Sequence, residues 1–171
     1  MDNQSSEWKI AWQSKWDKSF RDVSVPFGDE TRIADIRMSN GLVVQFISNP
    51  SEVTPEYIRT TEATFQKMVW VMNASEYVAK AELSINRTEP FSNITWRYAP
   101  ELAREHSRNL FLDTDVPNEI FLLRYLRPGS GITGYGSVYT HFDLVNNNLK
   151  TSKLYPVFWK DKVKDDIQTM A

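Results

Sequence analysis

Residues 32 to 48 carry the chemistry of this chain. Arg32-Ile-Ala-Asp35-Ile36-Arg37 is followed by Ser39-Asn40-Gly41 and then by Leu42-Val-Val-Gln45-Phe46-Ile47-Ser48. Asp35 closes one strand candidate, and Gln45 is a polar residue inside an apolar neighbouring strand. Acids on adjacent strands can share a hard divalent cation, which makes a bound water acidic and neutralises charge building on a phosphate. A polar side chain two residues beyond the second acid can then orient that water. Asp35 suits this chemistry, whereas Gln45 has no charge to offer.

The elements that must position Asp35 and Gln45 follow from pattern. Trp8, Trp12 and Trp16 recur every four residues, which predicts an amphipathic helix capped by Ser5 or Ser6 with an aromatic stripe docked on the domain. Asp2 and Glu7 suit the positive end of that helix. Strands are expected over residues 22–27, 31–38 and 42–48, the last apolar enough to lie mid-sheet. Asn40-Gly41 predicts a type I′ hairpin turn between the second and third. Thr54-Pro55-Glu56 starts a capped helix whose buried face is Ile58, Phe65 and Val69, and a short buried strand follows over residues 67–72. This order, helix, three strands, helix, strand, gives a mixed β-sheet flanked by helices, an α/β (α+β) class.

Beyond residue 75 the pattern is β-rich. Strands are expected over 77–85, 94–98, 108–112 and 119–126, with short helices over 100–107 and 140–147. Pro128 to Gly136 reads as a glycine-rich turn, because it lacks the Lys-Ser/Thr of a phosphate-binding loop. His106 and His141 stand without metal-ligand spacing and suit surface or capping roles. Arg97, between Trp96 and Tyr98, suits aromatic packing within the domain.

With 171 residues, the chain is expected to form one domain, residues 1–171, with a core over 5–73 and a β-rich extension over 75–155. The absence of cysteine excludes disulfides, thiolate metal sites and a cysteine nucleophile. A polar, acidic start and the lack of an apolar run near the ~20 residues that span a bilayer point to a cytoplasmic protein without membrane contact. The Asn-x-Ser/Thr triplets at Asn73, Asn86 and Asn93 are then chance matches. A formal charge of -2 gives no general basic field, so any DNA contact needs a local patch. Lys9, Lys15, Arg32 and Arg37 are the candidates, with Lys18 and Arg21 nearby; a solvated mixed-charge face is the alternative.

Taken in order, Ser6-Glu7-Trp8, Trp12, Arg32-x-Ala-Asp35-Ile36, Asn40-Gly41-Leu-Val-Val, Phe46, Arg59 and Met68-Val69-Trp70-Val71 resemble the competence protein CoiA-like nucleases. That family is a branch of the PD-(D/E)XK superfamily. The resemblance spans most of residues 5–73 and continues more loosely through Ile94 to Arg97, Leu110 to Asp113, Glu119 to Leu123 and Gly134-x-Gly136. It implies a restriction-endonuclease-like core, with Asp35 on the family's metal-binding Asp, Glu7 on its first-helix Glu and the Phe46 carbonyl as a further ligand.

The chain departs from the family at four places. Gln45 stands at the metal-binding Glu, Ile47 at the following polar position, and Lys9 and Gln13 at a His and a Lys of the first helix. A Gln keeps the shape of Glu without its charge, and Mg2+ is held mainly by carboxylates, phosphate and water. Ile at the orienting position removes a group typically worth about 10²- to 10⁴-fold in rate. The expectation is a degenerate nuclease that binds nucleic acid or a protein partner. An active Mg2+- or Mn2+-dependent endonuclease would need a relocated acid, for which Glu62, Glu52 and Glu56 are candidates. An inhibitor or decoy that binds only protein is the third reading. A deliberate Glu-to-Gln change would also leave Gln45 but would not account for Ile47.

Overall fold

The structure, a computed structural model, describes residues 3–88, 91–127 and 133–146, with side chains from residue 7 onward. Its centre is a nine-stranded mixed sheet ordered β1-β2-β3-β4-β7-β8-β9-β6-β5. Helix α1 (Asn3–Gln13) leads into β1 (Arg21–Phe27), β2 (Glu30–Arg37) and β3 (Val43–Ile47), then α2 (Pro55–Phe65) and β4 (Met68–Asn73). The remainder runs α3 (Ser75–Ala79), β5 (Leu83–Asn86), β6 (Ser92–Trp96), α4 (Glu101–Glu105), β7 (Leu110–Asp113), β8 (Ile120–Leu126), β9 (Thr133–Tyr139) and α5 (His141–Val145). β1, β2 and β3 pair antiparallel, whereas β3-β4 and β4-β7 are parallel, the first pair joined through α2 and the second through a longer connection that holds α3, β5, β6 and α4. The chain is thus α+β, a mixed sheet flanked by helices, as its element order predicts.

The two faces of the sheet follow from strand alternation. On β3 and β4, Val43, Ile47, Met68, Trp70 and Met72 join Ile58 and Phe65 of α2 and Leu102 of α4 in one core cluster. Val44, Phe46, Val69 and Val71 face the other way and pack with Trp12, Trp16 and Leu144, which brings α1 and α5 onto the opposite face. Continuous apolar runs in β3 and β4 are what a strand covered on both faces requires.

Four local expectations are corrected. α1 begins at Asn3, ahead of Ser5 and Ser6, and ends at Gln13; Trp16 reaches the core from the turn that follows, where its N–H donates to the Gln13 carbonyl. The hairpin between β2 and β3 is a three-residue loop, with Gly41 N–H donating to Met38 O and Met38 N–H to Leu42 O. Only Gly41 has a positive φ, +88°, so Asn40 does not take the type I′ shape; its Oδ1 accepts from Leu42 N–H instead. Residues 77–85 are the end of α3, a turn and the start of β5 rather than one strand. Gly134 and Gly136 sit inside β9, where a Cβ would run into the carbonyls of Tyr125 and Leu122 on β8. They allow close strand approach beside the irregularity between Leu123 and Tyr125. The rest of the expected turn, residues 128–132, lies outside the described residues, as do residues 147 onward.

Candidate functional site

β2 and β3 share a regular ladder only at Ile36↔Val44 and Arg37↔Val43. At the next step, Asp35 and Gln45, side chains take over the pairing. The Asp35 N–H donates to Gln45 Oε1 at 2.6 Å, and the Phe46 N–H donates to Asp35 Oδ2 at 2.9 Å. Both side chains are buried. Beyond this point β2 pairs with β1 alone, so the β1-β2 hairpin diverges from β3 where the chemistry was expected.

Helix α1 completes the cluster. Lys9 Nζ lies 2.8 Å from Asp35 Oδ1, with the Lys9 side chain 37% exposed and that of Asp35 8%. Gln13 Nε2 donates to the Asp35 carbonyl at 3.0 Å and to Asp22 Oδ1 at 3.1 Å. Asp22 interrupts β1 with a φ of 49°, a conformation that L-residues rarely adopt. Burial holds the Asp35 carboxyl above the usual range; Lys9 and the Phe46 N–H pull it down less strongly, and the Asp22 charge adds to the rise. Asp22 was the member that sequence reasoning missed; the rungs on either side, Arg21↔Ile36 and Val23↔Ala34, set it opposite Asp35, and that hairpin register is the signal that could have found it.

The tryptophan stripe fixes the helix that carries Lys9 and Gln13. Trp8, Trp12 and Trp16 surround Phe46 with ring centroids 6.1, 5.9 and 6.0 Å away. The indole N–H groups of Trp8 and Trp12 both donate to Asp113 Oδ2 at 2.8 Å. The stripe is therefore a docking device whose polar end is a buried carboxylate at the end of β7. His141 of α5 packs against Trp12 at 4.5 Å between centroids. Of the surface or capping roles expected for His106 the structure shows the second: it caps the C-terminal end of α4, fully buried, with its Nδ1 2.9 Å from the Leu102 carbonyl.

Other expected site residues are placed elsewhere. Glu7 is exposed on α1, and Ile47 is buried in the α2 side of the core. Glu62 is also on the α2 side, where its carboxylate accepts from Trp70 Nε1, from Ser107 N–H and Oγ, and from Arg108 N–H. It ties α2 to the loop before β7 and makes no contact with Asp35. Glu52 and Glu56 are exposed at the entrance to α2. Among the basic candidates, Lys15 is exposed with Nζ 5.4 Å from the Trp12 ring, and Arg37 is exposed. Arg32 is half-buried, five residues and about 16 Å of strand from Arg37. Arg21 is spent on the Trp16 and Ser14 carbonyls.

The donors as arranged do not fit Mg2+ or Mn2+. One Asp35 oxygen faces an ammonium and the other a backbone N–H, while the Gln45 oxygen accepts from Asp35 N–H. The Phe46 carbonyl shares the β2 side of its own N–H by strand geometry and is a single neutral donor. Among the described residues no group of three His, Cys, Asp or Glu could hold a metal, and no helix is long and apolar enough to cross a membrane. No family model matches the chain, and no curated protein or solved structure matches it significantly.

Proposed function

We propose that the chain is a PD-(D/E)XK nuclease-like protein of the CoiA-like kind whose hydrolytic site has become structural, and that it binds nucleic acid without cutting it. The observation that carries this reading is the use made of Asp35 and Gln45, which close the gap between β2 and β3 while Lys9 occupies the remaining Asp35 oxygen. The order helix, three antiparallel strands, helix, parallel strand supports the fold. The divergence of β2 and β3 at Asp35 supports the address of the site. Lys9 supports a phosphate contact there, because a partly exposed ammonium retains N–H groups for an anion.

A protein partner is the second reading. It is favoured by the formal charge of -2 and by the distance of about 16 Å along β2 between Arg32 and Arg37.

The test is binding of labelled duplex and single-stranded DNA in EDTA across a salt series, followed by plasmid incubation with Mg2+ or Mn2+. Metal-independent binding that weakens steeply with salt, with no nicking, is the expected result. Nicking that disappears in Asp35→Ala would replace this reading with that of an active endonuclease. DNA binding that is absent at low salt would leave the protein partner.

A further inference from the structure

We infer that the Lys9 ammonium is the resident cation of the Asp35 site, standing where a nuclease of this fold would hold a divalent metal and excluding that metal. The inference rests on the nuclease-like reading for the identity of the site, but not on DNA binding. Three observations carry it. Lys9 Nζ is 2.8 Å from Asp35 Oδ1, the only oxygen of that carboxylate not already accepting a backbone N–H. Lys9 comes from α1, whose position is set by Trp12 in the core and by two indole hydrogen bonds to Asp113, so the ammonium is delivered by a fixed element. A second carboxylate, Asp22, is bridged to the Asp35 backbone through the Gln13 amide, so a cation here meets more negative charge than one acid supplies.

Charge decides the competition. A divalent ion at Asp35 Oδ1 would lie within a few Å of Nζ, and that repulsion costs more than about tenfold in affinity even at the dielectric of water. Removing the ammonium leaves Asp35 Oδ1 without its partner, with Asp22 nearby, and one or two carboxylates with water are enough for weak binding of a hard cation. Lys9 thus replaces a soluble, exchangeable charge with a covalently attached one. DNA contact at this site would then be indifferent to metal chelation.

The experiment is direct Mn2+ binding, read from the loss of the free-ion electron paramagnetic resonance signal, on the wild-type chain, Lys9→Ala, Lys9→Met, and each combined with Asp35→Asn. Lys9→Ala and Lys9→Met should bind one Mn2+ at least about tenfold more tightly than wild type, and Asp35→Asn should abolish the gain. The second substitution keeps the aliphatic stem, which guards against a variant that fails through lost packing. Wild-type protein that binds Mn2+ through Asp35 as tightly as the Lys9 variants would overturn the inference, as would Lys9 variants that gain nothing while remaining folded by circular dichroism. Because the readout contains no DNA, a protein that never binds DNA would remove the proposed function and leave this result standing.

Discussion

Asp35 and Gln45 exchange roles with the backbone: the N–H of Asp35 is satisfied by the side chain of Gln45, and the N–H beside Gln45, that of Phe46, is satisfied by the side chain of Asp35. A buried strand pair that loses its ladder must find other partners for its polar groups. The amide of Gln45 serves here without bringing a second charge next to Asp35. Gln45→Glu keeps the acceptor and adds that charge, so it should lower stability by about 1–3 kcal/mol at neutral pH. Burial and Asp35 both raise the pKa of the new carboxyl, so the folded state binds its proton more tightly than the unfolded state does. The loss should therefore shrink as pH falls through the raised folded value and vanish below the unfolded one, near 4.3. Urea unfolding of wild type and variant at several pH values reads this difference; an equal loss at every pH would mean that charge is not the cause.

Lys9→Ala and Gln45→Ala should affect stability differently. Gln45→Ala leaves the Asp35 N–H buried without a partner, which costs about 1–3 kcal/mol. Lys9 is partly exposed and its ion pair is screened, so Lys9→Ala should cost no more than about 1 kcal/mol. Guanidinium midpoints in the two variants settle the order, and a larger loss for Lys9→Ala would place the structural weight of the site on the ion pair.

Glu62 offers a test of the relocated acid. Its carboxylate accepts from an indole, a hydroxyl and two backbone N–H groups at the joint between α2, β4 and the loop before β7. Glu62→Gln turns one accepting oxygen into a donor facing donors, at a cost of about 2–3 kcal/mol. DNA affinity and any Mn2+ response should stay unchanged under conditions where the variant is folded. A metal response lost with Glu62→Gln would bring that residue back into the site.

The element order was legible because periodicity reports burial directly: β3 and β4 read as apolar runs since both their faces are covered, and the tryptophan spacing reads as a docked stripe since Phe46 sits beneath it. What could not be read was pairing over long sequence distance. Nothing local to Trp8 or Trp12 announces Asp113 as the acceptor of their indoles, 105 and 101 residues away. Glu62 looks like a solubilising helix glutamate until Ser107 and Arg108 close on it. Lys9 was legible as a charge but not as the partner of Asp35, because that distance depends on how deeply the tryptophans seat α1. The strand expected over 77–85 failed where α3 interrupts it, since Tyr77 and Leu83 are apolar for packing from two different elements.

The indole pair makes Asp113 the anchor of α1. Removing its carboxylate strands the buried Trp12 N–H and releases that of Trp8, so Asp113→Ala should cost about 2–3 kcal/mol. Tryptophan emission should shift to the red as α1 loosens. Unchanged emission together with unchanged stability would show that ring packing on Phe46 holds the helix without the carboxylate.

His141 gives the same interface a pH dependence of known sign. Burial against Trp12 holds its imidazole below the ordinary value of 6.5, and Lys15 acts in the same direction; the hydrogen bond with the Glu119 carbonyl and the charge of Asp113 oppose them more weakly. The folded state therefore takes up this proton less readily than the unfolded chain. Its contribution to stability is complete above pH 6.5 and is lost as pH falls through the depressed folded value. His141→Gln removes the titrating group, so the stability difference between wild type and variant should drift in favour of the variant as pH is lowered from 7.5 to 5. His106 is common to both proteins and cancels in that difference. A difference that stays constant over this range, measured by urea unfolding, would mean that His141 is as easily protonated in the folded protein as in the unfolded one.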